Sequence, residues 1–458
     1  MGWNRQEIIF ESRLKNEITQ PLRVAIVGTS LVQQNTYATS VGAIGCFTRS
    51  WIDWASFFGN GACEIFDVSD TTNYSGWGDR KFIGTNFGVS GQTCDEILAR
   101  IPLLIRNKAM FDVVILDMGT NDMAPLTKEE IHAKRIQAVK MLTDEGLKVV
   151  LLTILARDIS SWPSGSSQRK KANWINQKTR GYYRNKKNVI VHDWNMDWVD
   201  INSADGIPVA AYSDDGIHFA TRGGYRVGKG LWERTLSKLL PIGNSLVTSP
   251  DDKFDATDNP YGLLNNNPFF TGTSGTAGTG VTGTVPTGMT VERTSGSTCT
   301  AVASIVSKGV HGGNAVRMAF TLGGTADEIF SVRVTGSDTA HTLAGKWVQP
   351  SVTISTSTAA DTIKAIKLVL IDQSNTNNRS ETFKEIGSFY YPAEAISEGQ
   401  IIGRPLKLGA GSTTLRIRVE VHVNGSGSVA PVVDISKFGV RQIDVPQMYR
   451  PDGTLFTG

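Results

Sequence analysis

The sequence predicts two folds in succession: a three-layer α/β/α fold on a parallel sheet over residues 21–242, then an all-β sandwich over 263–458. Three observations carry this. Short β-branched runs alternate with longer helix-like segments from Pro21 to Pro241. Runs such as Val113-Val114-Ile115-Leu116 and Val149-Val150-Leu151-Leu152 are apolar without alternation, as strands buried on both faces of a helix-covered sheet must be. Beyond Pro241 the composition turns to Asp, Asn, Gly and Thr, and then to short segments of period two.

In chain order, residues 1–20 form a polar, charged extension with Ile8, Ile9, Leu14 and Ile18 at loosely helical spacing. The extension has neither the apolar stretch nor the small-residue cleavage site of a signal peptide. The predicted strands are Arg23–Val27, Lys81–Asn86, Val113–Met118, Val149–Ile154 and Val189–His192. Between and after them fall predicted helices over Phe47–Phe58, Thr93–Arg106, Thr127–Asp144, Gln168–Arg184 and Gly223–Leu240. Residues 243–262 are rich in Asp, Asn, Ser and Pro and read as a linker, followed by a Gly/Thr stretch, Thr271–Thr284, that is no helix. Leu415-Arg-Ile-Arg-Val-Glu-Val-His-Val423 is the clearest alternating strand, with Ile363–Ile371 and Ile329–Val334 weaker versions. Eight to ten such strands with Gly-rich turns argue for an antiparallel sandwich.

Composition narrows the function. The chain's 46 basic and 43 acidic residues nearly balance over 458 positions, and no basic block points to nucleic acid. No apolar run approaches the roughly 18 residues of a membrane helix, so no membrane insertion is expected. The chain reads as soluble and made in a cytoplasm, from which lysis would release it. Four cysteines, Cys46, Cys63, Cys94 and Cys299, show neither CxxC pairing nor histidines at zinc spacing. They are expected as buried thiols, with a Cys46–Cys63 bridge the lesser option. No cofactor or metal is expected.

The chemistry concentrates after the predicted strands, where ligands of open α/β sheets bind. Asp215 stands three residues ahead of His218 across a Gly-Ile turn, within reach of its ring. A carboxylate on one imidazole nitrogen leaves the other free to take a proton. Asp214 is the second candidate for that acid, and the spacing favours Asp215. A metal held by Asp214, Asp215 and His218 lacks a second ligand cluster. The first strand ends in Gly28-Thr29-Ser30-Leu31, where a serine hydroxyl is exposed or simply caps a helix. The second leads to Gly91, whose N–H is free to meet a ligand. The third leads to Gly119-Thr120-Asn121-Asp122, in which Asn121 either donates to a ligand or braces the turn and Asp122 braces it.

In this order, Ser30, Gly91, Asn121 and then Asp215 with His218, the chain resembles the SGNH hydrolases, the GDSL-type esterases and lipases. The resemblance covers about residues 21–240, and the Gly-Thr-Asn-Asp and Asp-Gly-Ile-His blocks are its most specific parts. It implies a flavodoxin-like domain in which Ser30 is the nucleophile, His218 its base and Asp215 the orienting acid. The N–H groups of Ser30 and Gly91, with the Asn121 amide, would form the oxyanion hole. One departure stands out: Thr29 occupies the place of the aspartate in the family's usual Gly-Asp-Ser-Leu block.

The loops around these blocks are polar rather than lid-like, which favours a small acyl group on a hydrophilic carrier, such as an acetyl ester on a polysaccharide. Trp162, in the polar loop 160–167, and then Trp77 are the expected substrate-facing aromatics. The β half is similar to jelly-roll-like sandwiches of polysaccharide-active enzymes and to parts of phage tail proteins. That similarity implies glycan binding or oligomer assembly, with a virion-associated homotrimer the expected setting. The competing expectation is a receptor-binding or structural protein whose hydrolase fold is a relic, with Thr29 as its first loss.

Overall fold

The computed structural model describes residues 22–457 apart from 40–41, 71–81, 112, 241–242, 244, 325–326, 336–338, 360, 388 and 446. Trp77 and the 1–20 extension lie outside the described residues. The first half holds a six-stranded parallel sheet. Strand β1 (Leu22–Gly28) lies near its centre, between β8 (Val113–Leu116) on one side and, on the other, β4 (Cys63–Glu64) and then β7 (Asn86–Gly88) along its length. Beyond β8 follow β9 (Lys148–Leu152) and β10 (Val189–His192).

The two-sided apolar runs do what their pattern requires. Ala25, Val27, Val114, Leu116, Val149 and Leu151 face one helical layer. That layer is built from α3 (Cys94–Arg106), α4 (Lys128–Asp144) and α5 (Ser167–Tyr183). Val24, Ile26, Val113, Ile115, Val150 and Leu152 face the other, where α2 (Trp51–Phe58) and α7 (Thr221–Arg234) pack. Thr93 with Glu96 and Thr127 with Glu130 form capping boxes that fix the starts of α3 and α4 one residue after the predicted ones.

Two predicted elements changed. The expected strand Lys81–Asn86 is divided into β6 (Phe82–Gly84), antiparallel to β5 (Asp67–Ser69), and β7, because Thr85 turns aside to bond the Phe66 backbone. The expected helix over Phe47–Phe58 starts only at Trp51, with the Ser50 side chain capping the Asp53 N–H. Only its first residue, Phe47, is strand instead, as the end of β3 (Ala43–Phe47), which forms a hairpin with β2 (Tyr37–Ala38). β3 pairs in parallel with Arg379–Lys384, some 330 positions away.

Those pairings place β2 and β3 at the edge of a nine-stranded sheet of the β half, which faces a seven-stranded one. Along Thr414–Asn424, Leu415, Ile417, Val419, Val421 and Val423 point into the sandwich core with Phe330, Val332, Val316, Met318, Val433 and Ile435. The stretch after α7 is anchored rather than free: Val247 is fully buried, and Asp252 pairs with Arg441 at 2.9 Å. The sheets therefore do not divide where the chain's composition does. All four cysteines are buried and unpaired.

The outward face of Thr414–Asn424 departs from a solvated polar face. His422, on the polar side of that alternation, is 7 % exposed, wedged between Glu420 at 3.4 Å and Glu385 at 3.6 Å. Glu420 also meets Lys367 at 2.8 Å and Arg418 at 2.6 Å. Burial alone would push the Glu420 carboxyl up, but the His422 hydrogen bond and the Lys367 and Arg418 cations outweigh it and hold it at about 2. An unfolded glutamate titrates near ~4.3, so below that pH the unfolded chain takes up a proton the folded one refuses. The stabilisation is complete above pH ~4.3 and disappears as pH falls toward 2, at most about 3 kcal/mol. Urea denaturation should show the wild-type midpoint dropping steeply over that window, and Glu420→Gln should show a visibly flatter acid limb.

Candidate active site

Ser30 is the first residue of α1 (Ser30–Gln33), directly after β1. At a helix start the first N–H groups have no helical partner. Among the described residues, the Ser30 N–H donates to no other group of the chain. Thr29 precedes it, buried, and its hydroxyl donates to Asp117 Oδ2 at 2.7 Å. Asp117 follows β8, so the acid missing from the first block is supplied from the neighbouring strand. Burial pushes the Asp117 carboxyl up, opposed by the Thr29 bonds and the Arg135 and Arg157 cations. The turn geometry that Thr29 put in question is thus held by a threonine–aspartate pair.

The His218 ring reaches Ser30 from a late loop: Nε2 lies 2.9 Å from Ser30 Oγ, and Nδ1 lies 2.6 Å from Asp215 Oδ2. The other Asp215 oxygen accepts the N–H groups of Ile217 at 2.8 Å and His218 at 2.7 Å. Burial tends to raise the Asp215 carboxyl, but the His218 ring bond and these two N–H donors prevail and hold it below the usual aspartate range. The turn between them needs Gly216, at φ +75°, because a Cβ there would fall 2.1 Å from Asp158 Cγ. Behind it, Phe219 is fully buried against Trp194 and Trp198, which sets the loop's depth. Among the described residues Asp214 makes no hydrogen bond to the ring, since Asp215 occupies that nitrogen.

Gly91 adopts φ +77° and opens onto space, with nothing within 4 Å of where its Cβ would stand. Its loop is pinned on both sides: Ser90 N–H donates to Gln33 Oε1 at 2.5 Å, and Asn121 Nδ2 donates to Gln92 O at 3.0 Å. The Gly91 N–H donates to no other group among the described residues. Asn121 is half-buried in a single helical turn after β8, while Asp122 accepts the Cys94 N–H at the start of α3. The structure thus brings Ser30, Gly91, Asn121, Asp215 and His218 to the carboxyl end of one sheet.

Trp162 is a correction. Expected to face substrate, it is 4 % exposed and packs in the core beneath α4 and α5. A polar loop suggested exposure, but the ring turns into the apolar cluster on that side of the sheet, while Arg169 Nε bonds the Trp162 carbonyl at 2.7 Å and fixes the loop backbone. What lies over that ring is Arg157, 5.1 Å from its centroid, a residue of the site that sequence reasoning missed. Its place shortly after β9 is the one signal that would have flagged it.

The parallel sheet with its helical layers has the architecture of an α/β hydrolase domain. Residues 56–226 match the model of the GDSL-like Lipase/Acylhydrolase family. The match begins after Ser30 and includes Gly91, Asn121, Asp215 and His218. Among solved structures, a putative acylhydrolase from Bacteroides fragilis is 18 % identical, covering 52 % of this chain and 99 % of its own, with a TM-score of 0.34. A GDSL-like lipase from Bacteroides thetaiotaomicron is 17 % identical, covering 50 % and 98 %, also at 0.34. A carbohydrate esterase family 3 protein from Talaromyces cellulolyticus is 15 % identical, covering 48 % and 98 %, at 0.33. No curated protein matches. Among the described residues, no helix is long and apolar enough to cross a membrane.

Proposed function

We propose that this chain is an SGNH-type serine esterase that removes short acyl groups, acetyl above all, from a hydrophilic carrier such as a polysaccharide. The observation that carries it is the unbroken relay from Ser30 Oγ through His218 to Asp215, at 2.9 and 2.6 Å. A serine hydroxyl is a weak nucleophile until a base takes its proton. With a proton on Nδ1 donated to Asp215, Nε2 accepts the Ser30 proton as Oγ attacks the acyl carbon. Asp215 then stabilises the imidazolium, which returns the proton to the leaving alkoxide. The resulting acyl-enzyme is hydrolysed by water activated at the same nitrogen.

The developing oxyanion would be met by the N–H groups of Ser30 and Gly91 and the Asn121 amide. Losing one such donor typically costs about 10²–10³ in kcat. Asn121→Ala should therefore lower kcat for p-nitrophenyl acetate by about that factor while KM changes little, measured by initial rates.

The carrier is argued from the polar residues around the site: Ser90 and Gly91 are exposed, Gln33 holds the Ser90 N–H, and Asp158 with Ser160 forms the turn beside Gly216, with Ile159 the one exposed aliphatic side chain between them. A tail-fibre setting, in which the sandwiches of three copies associate, would present several such sites to one glycan. The test is acetate release from a panel of acetylated polysaccharides, beside p-nitrophenyl esters of two to sixteen carbons. Faster turnover of the long chains, with no acetate from any glycan, would replace this reading with a lipase or thioesterase. Sedimentation of the intact chain separates a trimer from a monomer.

A further inference from the structure

We propose that Arg157 is a positioning residue for the oxyanion hole, orienting and polarising the Asn121 amide from behind; this rests on the esterase reading above. The side-chain amide of Asn121 has two donors and one accepting oxygen. One donor is spent on Gln92 O at 3.0 Å. The oxygen faces the Arg157 guanidinium, whose Nη2 lies 3.4 Å from Asn121 Oδ1 and 2.9 Å from Thr120 Oγ1. Both contacts select the same amide orientation, and in it the second N–H has no other partner among the described residues. A cation at the carbonyl end also draws charge from the amide, which strengthens the N–H as a donor.

Arg157 is itself held by an aromatic platform, and its loop by two backbone bonds. Its guanidinium lies over the buried Trp162 ring, an arrangement that favours a cation on the aromatic face. The next residue ties the loop to the base side of the site, because Asp158 N–H donates to Gly216 O at 3.0 Å. The Trp162 N–H in turn donates to Asp158 O at 3.0 Å. One short loop therefore joins the amide that would meet the oxyanion to the turn that carries Asp215 and His218. This also gives Trp162 a role: it is the platform under Arg157.

The test is a double-mutant cycle on p-nitrophenyl acetate with the full chain, using Arg157→Ala, Asn121→Ala and the double variant. Arg157→Ala should lower kcat by about 10- to 30-fold with KM within about twofold, since the interaction lost is one made in the transition state. In the Asn121→Ala background the same substitution should cost less than about twofold, because the group it acts through is gone. Arg157→Lys, which keeps the charge and loses the planar fork, should fall between. If Arg157→Ala does not fold, Arg157→Lys and Arg157→Gln carry the same comparison. An equal loss in both backgrounds, or a raised KM at unchanged kcat, overturns the proposal. Ser30→Ala separates this from failure of the esterase reading: unchanged turnover there sinks the parent reading, whatever Arg157 does.

Discussion

Ser30→Ala should lower kcat for p-nitrophenyl acetate by about 10⁴-fold or more, with thermal stability unchanged. Members of a triad act as a unit, so removing the nucleophile leaves only binding and the oxyanion donors, which still exceed water by a modest factor. Asp215→Asn should approach the same loss, because an amide on Nδ1 favours the wrong tautomer and cannot stabilise the imidazolium. Neither change should unfold the protein: Ser30 opens α1 on the site's side of the sheet, and the Asp215 side chain is 48 % exposed. A fluorophosphonate should label the wild type at Ser30 and leave Ser30→Ala unmodified, read by peptide mass. If the alanine variant turned over ester at the wild-type rate, the fold would be a relic and the nucleophile would lie elsewhere.

Removing residues 263–458 should abolish soluble, folded hydrolase, and with it turnover of small ester and polymer alike. If the β half served only to bind glycan, excision would spare the small ester. The contacts across the two halves argue otherwise. Arg404, fully buried, forms a fork with Asp53 at 2.6 and 2.9 Å and donates to Asn35 O at 3.1 Å, just past the helix that carries Ser30. Asn35 in turn bonds the Leu31 and Val32 carbonyls, so Arg404 braces that helix from below. Breaking one side of a buried ion pair costs about 3–5 kcal/mol, a large share of a domain's stability. Excision would also bare Trp54, stacked on Phe383 at 4.4 Å and edge-on to Tyr391 at 5.3 Å, together with the unpaired edge of β3. Arg404→Met in the full chain isolates the first term, and a fall in unfolding midpoint is its readout. A soluble, active 1–262 fragment would show that these contacts are dispensable.

Much of the first half was legible because its signals are local. The apolar runs specify strands buried on both faces, and Thr93-to-Glu96 and Thr127-to-Glu130 spacings mark helix starts. The Asp215–His218 pair spans four positions, so its geometry follows from one turn. What was not legible depends on partners far along the chain. Ala43–Phe47 becomes a strand only because Arg379–Lys384 offers it an edge, and no propensity in those five residues announces that. Trp162 was misplaced because a polar loop conceals an inward ring, and Arg157 was missed because its significance lies in Asn121 and Trp162 together. His422 followed the alternation of its strand correctly, yet period two cannot tell that the polar face is itself covered.

The hairpin of Tyr37–Phe47 bears on how such a protein can evolve. A recombination event that exchanged everything after residue 262 for a foreign module would strip this hairpin of its neighbour and strand Asp53 without its arginine. Viable chimaeras are therefore expected to inherit both halves as a unit, or to co-exchange the hairpin with the new module. Diversification would then proceed through loops on an intact two-part scaffold rather than by swapping its parts.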